Sequence, residues 1–239
     1  MGLSKNHLKL ITSLRQKKYR HKHKMFVVEG VKVVREFLNS SFELHQLFSV
    51  DSDFNSDNEI IQISELELKK ASQLVNPNKV LAIFKIPEEE NSKSNGLILA
   101  LDAINDPGNL GAIIRLCDWF GIGQLICSSD TVDCYNSKVV QSSMGSLTRV
   151  SIQYTDLHDF LQESTLPIYT ADMDGENVYQ TKLPQEAILV MGNEANGISD
   201  VINGLTNHVL TIPRFGTIQQ TESLNVATAT AILLSEFRR

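Results

Sequence analysis

Three stretches of the 239-residue chain combine chemically capable side chains with turn-forming neighbours. In residues 100–122 an apolar run leads into Asn105-Asp106-Pro107-Gly108-Asn109, all residues that favour turns. A helical pattern follows, with Leu110, Ile113, Ile114, Cys117 and Phe120 on one stripe and Gly121 as a stop. Arg115 falls off that stripe, and Asn109 stands at the expected helix start, where its amide could cap the backbone. In residues 187–199 an apolar strand ends at Gly192, followed by Asn193, Glu194 and Gly197. In residues 209–239 a strand ends at Ile212-Pro213, a loop carries Arg214 and Phe215, and a helix is expected to open at Ser223 with Asn225 in its first turn. A guanidinium, a carboxylate and several amides at strand ends can bind and orient a ligand, because open α/β sheets place ligands at the carboxyl ends of their strands. Taken singly, each stretch also reads as an ordinary turn, a surface arginine or a helix cap.

Other chemistries find no support in the pattern. There is no GxGxxG, GxxxxGK[ST] or HExxH element. The three cysteines, Cys117, Cys127 and Cys134, form no CxxC, which argues against a zinc site or a disulfide framework and suits a reducing cytoplasm. No metal is expected. No apolar run is long enough to span a membrane, and residues 1–20 lack the apolar core of a secretory signal.

Charge is distributed unevenly. The chain carries −6 overall, yet residues 1–35 hold ten Lys and Arg against Glu29 alone, a balance of +9 that leaves −15 for the rest. A basic arm on an acidic protein suggests a polyanionic partner, and a merely solvated basic helix is the alternative.

The elements that must position these residues fall into two groups. Residues 24–30, 45–50, 59–64 and 79–87 read as strands, with a helix over residues 31–40 and a Ser64-x-x-Glu67 capping box opening another. The polar segment around residues 87–96 reads as a join. Strands are then expected at residues 96–102, 124–128, 149–154, 167–172, 187–192 and 208–213, alternating with helices. Near-continuous apolar strands between helices imply a parallel sheet covered on both faces. The division expected is residues 1–90, a linker at 91–96, and a larger α/β domain over 97–239.

Taken together and in this order, the three stretches resemble the motifs of the SpoU/TrmH family of SPOUT RNA methyltransferases. Asn109, Gly111 and Arg115 match its Asn-x-Gly-x-x-x-Arg element. Gly192, Glu194 and Gly197 match Gly-x-Glu-x-x-Gly. Ile212, Pro213, Ser223, Leu224, Asn225, Val226 and Ala229 match the last. Asn193 stands where Ser is common in that family, and Arg214 where Met is common. The basic residues 13–38 resemble the ribosomal-protein-like substrate-binding domain that many members carry.

The resemblance implies a trefoil-knotted α/β catalytic domain behind a small α/β RNA-binding domain. It further implies a homodimer and methyl transfer from S-adenosylmethionine to a ribose 2′-hydroxyl. Ribosomal RNA is favoured over transfer RNA; a catalytically inactive RNA-binding homologue is the alternative. Arg115, Asn109, Glu194, Ser223 and Asn225 take the catalytic positions, and Gly192, Asn193, Ile212, Leu224 and Thr170 the cofactor-binding ones. Because a free guanidinium is a poor base, Arg115 either loses its proton by desolvation or stays charged and stabilises the forming alkoxide.

Overall fold

The computed structural model describes residues 2–88, 96–218 and 223–239. The chain begins with α1 (Lys5–Ser13), α2 (Lys17–His23), β1 (Met25–Glu29), α3 (Val31–Leu38), β2 (Leu44–Ser49), β3 (Ile60–Gln62), α4 (Glu65–Ala71) and β4 (Val80–Lys85). It continues with β5 (Leu97–Leu101), α5 (Pro107–Phe120), β6 (Gln124–Ser128), α6 (Ser137–Ser143), β7 (Ser151–Thr155) and α7 (Leu157–Glu163). The last elements are β8 (Ile168–Asn177), β9 (Ala187–Met191), α8 (Asp200–Asn203), β10 (His208–Thr211) and α9 (Val226–Phe237). Apart from Gly96, the expected linker at 91–96 lies outside the described residues.

Contacts divide the chain into two units, and the division is not sequential: residues 133–148 belong with residues 1–90. That departs from the expected boundary, which left α6 with the larger domain. The first unit is a mixed sheet in the order β1-β4-β2-β3, with β4 antiparallel to both neighbours and β2 parallel to β3. Phe26, Phe37 and Phe84 are fully buried in it, and Tyr135 lies 4.7 Å from the Phe26 ring. The capping box is present, with Glu67 accepting from Ser64 N at 2.8 Å.

Arg20 corrects the sequence reading of the basic arm. It is 3 % exposed, and its Nε and one terminal nitrogen donate to Asp133 Oδ2 at 2.8 and 2.6 Å. The other terminal nitrogen donates to the Leu14 and Arg15 carbonyls, both at 2.9 Å. Arg15 in turn donates to the carbonyls of Ala71 and Ser72. Lys17, Lys18, Lys22 and Lys24 remain exposed.

The second unit is a six-stranded, all-parallel sheet in the order β10-β8-β9-β5-β6-β7. The chain builds outward from β5 through β6 to β7, then crosses to the other side, so the direction of winding reverses between β5 and β9. Residues Leu99, Ala100, Leu101, Ile188, Leu189 and Val190 are fully buried at that centre. α5 and α9 pack together and are pinned at both ends. Arg238 donates to the carbonyls of Phe120 and Gly121 at 2.8 and 2.9 Å, while Asn225 and Asn109 join the other ends.

Candidate active site

The loops after β5 and β9 emerge side by side at the reversal of winding, the place where α/β sheets bind ligands. Three hydrogen bonds lock them together. Asp102 Oδ2 accepts from Ser199 N at 2.8 Å, Asn193 Nδ2 donates to the Ala103 carbonyl at 2.7 Å, and Asn109 Nδ2 donates to Glu194 Oε1. Asn225 Nδ2 then donates to Asn109 Oδ1 at 2.9 Å. A chain Glu194–Asn109–Asn225 therefore spans the loop after β9, the start of α5 and the start of α9.

Helix capping explains how these side chains come to be available. Asn109 is not the cap of α5; Asp106 is, accepting from Asn109 N at 2.8 Å, with Pro107 at the first helical position. Asn109 is thus the third helical residue and its amide is left to reach across. At α9 the cap is Asn225 rather than Ser223: its Oδ1 accepts from Ala227 N and Thr228 N, so its Nδ2 faces Asn109. An amide can do both at once because it carries an acceptor and two donors on one group.

Beside this chain lies a cavity of about 760 Å³, within the size range of small-molecule sites. Met191, Leu210, Ile212, Leu224, Val226 and Ala229 give it apolar walls, and Asp172, Glu194 and Ser223 add polar groups. Gly192 has a specific steric reason: a Cβ there would lie 2.4 Å from Gly197 C and 2.5 Å from Ile198 N. The turn from Asn193 to Gly197 folds back on Gly192, closed by reciprocal 2.9 Å backbone bonds, and Gly197 adopts φ +69°. The side chain is excluded by the protein's own backbone, which shapes one wall of the cavity.

Of the ten site residues expected from sequence, Gly192, Asn193, Glu194, Ile212, Ser223 and Leu224 line the cavity, and Asn109 and Asn225 adjoin it through Glu194. Thr170 does not: it is 1 % exposed and faces Thr206, while the next residues, Ala171, Asp172 and Met173, reach the cavity. Asn193 lines it, but its amide is committed to Ala103, and its Oδ1 to Ala195 N and Asn196 N. Arg115 is exposed, does not line the cavity, and has no hydrogen bond or ion pair among the described residues. Sequence reasoning missed Asp172, Met173 and Ile218. The usable signal for the first two was that the apolar run of β8 stops just before them, as the apolar runs of β5 and β9 stop before their polar loops.

A parallel sheet with a cavity beside its reversal of winding, walled by β8, by the ends of β9 and β10 with the loops after them, and by the start of α9, defines an α/β cofactor-binding domain; here it comes with a separate mixed-sheet unit. Residues 96–235 match the model of the SpoU rRNA Methylase family, and residues 5–82 that of the MRM3-like substrate binding domain. A 23S rRNA (guanosine(2553)-2′-O)-methyltransferase of Bacillus subtilis is 30% identical over 235 residues, covering 94% of this chain and 93% of that protein. Among solved structures, a TrmH-family protein from Porphyromonas gingivalis is 38% identical, with TM-score 0.90 over 100% of this chain and 99% of the other. An AdoMet-bound rRNA methyltransferase from Sinorhizobium meliloti is 26% identical, with TM-score 0.86 over 100% and 96%.

The chain belongs to the SpoU rRNA methylase family. It is an RNA 2′-O-ribose methyltransferase that uses S-adenosylmethionine. The cavity suits that molecule: the apolar walls fit the faces of an adenine ring, and the carboxylates of Asp172 and Glu194 suit a cationic sulfonium and amine.

Proposed function

We propose that this enzyme methylates a ribose of ribosomal RNA, and that the hydrogen-bonded chain Glu194–Asn109–Asn225 orients the reacting groups. That chain is the observation that carries the assignment, because it joins residues from all three motifs beside one cavity. S-adenosylmethionine, when bound, supplies an electrophilic methyl group on a sulfonium. Backbone at Gly192, Ile212 and Leu224 would hold it, with Asp172 and Ser223 as further polar partners.

Arg115 holds the phosphate of the target nucleotide and stabilises the negative charge that builds on the ribose oxygen as its proton leaves. An exposed guanidinium with no partner among the described residues has its donors available for that task. Helical phase turns Arg115 about 120° away from Asn109 along α5, on the side where Trp119 is 83 % exposed. The family resemblance implies a homodimer, and we assign this face of α5, with Trp119, to a second copy of the chain.

Three further assignments belong to this reading. The passage of the chain from β10 at the sheet edge back to α9 against α5 suits the knotted path of the family. The exposed Lys17, Lys18, Lys22 and Lys24 contact RNA phosphates, and the protein works in the cytoplasm. Among the described residues no helix is long and apolar enough to cross a membrane. Ribosomal RNA is favoured by the name of the Bacillus subtilis relative, which aligns along nearly the whole chain. Mass mapping of ribosomal and transfer RNA from a deletion strain tests the assignment. One missing ribose methyl group in ribosomal RNA is expected; a loss confined to transfer RNA would overturn it.

A further inference from the structure

Beside the cavity two aromatic rings stand close together, one almost wholly exposed and the other partly so. Phe215, in the loop after β10, is 85 % exposed, and Tyr179, just beyond β8, is 38 % exposed. Their ring centroids are 6.5 Å apart and the planes are tilted by 32°. Phe215 lines the cavity along with Met173 and Ile218.

Tyr179 is firmly mounted. Its backbone N donates to Asn177 Oδ1 at 3.0 Å, and Val178 N donates to the Thr211 carbonyl at 3.0 Å. β8 and β10 also approach so closely that a Cβ on Gly175 would lie 2.6 Å from the Val209 carbonyl oxygen. Such a mounting fixes the backbone from which the ring projects. Leaving a phenylalanine ring uncovered in water forgoes the burial that aromatic side chains ordinarily gain, so an exposed Phe215 with a partly exposed ring beside it at a substrate site suits a planar occupant.

We propose that Phe215 and Tyr179 form a stacking platform for a nucleobase of the substrate RNA, and so contribute to its binding and placement. The proposal rests on the reading of the chain as an RNA methyltransferase. Single-stranded RNA is commonly held by stacking splayed bases on aromatic side chains, and every base offers a π-face for it. The ring pair is continuous with the cavity that holds the methyl donor, so a base seated on it belongs to the strand being modified. An apolar side chain without a π-face could cover the same area but could not replace this contact.

The test measures kcat and KM for methyl transfer to unmodified ribosomal RNA, with cofactor affinity by calorimetry on the same samples. Phe215→Ala and Phe215→Leu should each raise the KM for RNA on the order of tenfold, the effect of losing one base stack. Cofactor affinity should stay within about twofold, and Phe215→Trp should restore the parental KM. Tyr179→Leu should act in the same direction.

Because Phe215 is so exposed, these variants should melt like the parent, and sedimentation should give the parental mass. A parental KM in Phe215→Leu would overturn the proposal, since an apolar contact would then suffice. Weakened cofactor binding at unchanged RNA KM would assign the ring to the cofactor instead, and a changed mass would assign it to a second copy. A parent that transfers methyl groups to no RNA would remove the broader reading as well, which separates that failure from this one.

Discussion

Arg20 gives a sharp test because charge counting and structure assign it different tasks. Arg20→Met removes a guanidinium that makes two hydrogen bonds to Asp133 and two to backbone carbonyls, and leaves the Asp133 carboxylate 8 % exposed without its cation. Stranding one member of a buried ion pair costs about 3–5 kcal/mol. With a urea m-value of about 2 kcal/mol/M, the unfolding midpoint of the first unit should fall by roughly 1.5–2.5 M. Arg20→Met/Asp133→Leu should recover part of the loss, since no lone charge then stays buried. RNA affinity of the folded Arg20→Met protein, measured by filter binding at three salt concentrations, should keep its parental salt dependence. Lys17→Gln/Lys18→Gln/Lys22→Gln is the comparison. It should leave the urea midpoint alone and flatten the slope of log affinity against log salt by about two units. An Arg20→Met protein with the parental midpoint and a salt slope flattened by about one unit would refute the reasoning and return Arg20 to the RNA-facing surface.

Three further outcomes are expected. Arg115→Ala should abolish single-turnover methyl transfer while calorimetric cofactor affinity stays within a few-fold, because Arg115 lies outside the cavity lining; an active variant would remove it from the mechanism. Gly192→Val should weaken cofactor binding by more than about tenfold, through displacement of the Gly197–Ile198 backbone, whereas Gly123→Ala, with open space around its Cβ position and away from the cavity, should bind normally. Burial raises the Glu29 carboxyl above its ordinary 4.5, against the lowering effect of the Ser72 and Gln73 hydrogen bonds. The folded state therefore holds that proton more tightly than the unfolded chain. Stability should fall as pH rises from about 4.5 through the raised value, and Glu29→Gln should lose that part of the pH dependence in urea titrations.

Much of this was legible in the residues because it is local. The capping box at Ser64 and Glu67, the stop at Gly121 and the parallel character of the larger sheet follow from spacing and composition alone. Where several candidates competed for one task, local pattern was less decisive. Asn105, Asp106 and Asn109 are all plausible caps for α5, and Pro107, which favours the first helical position, discriminates among them. Ser223 and Asn225 compete in the same way at α9. β8 extends to Asn177, beyond the apolar run that announced it, because it pairs with β10 on both sides of a register shift between Val209 and Leu210. The fate of Arg20 was not legible at all: its partner lies 113 residues away, and a count of charges carries no information about burial.

The attachment of residues 133–148 to the first unit limits how the protein can be dissected. A fragment cut at residue 96 would keep α6 while discarding the surface that shelters it. Val139 and Val140 are 0 % and 1 % exposed in the intact chain, and Tyr135 packs on Phe26, so the cut would uncover a sticky patch in the piece meant to be minimal. A soluble catalytic fragment would instead need the excursion replaced by a short polar turn joining Val132 to Arg149. The same arrangement makes the first unit discontinuous in sequence: during synthesis it is finished only after Thr148 has been made, when most of the larger sheet is still to come.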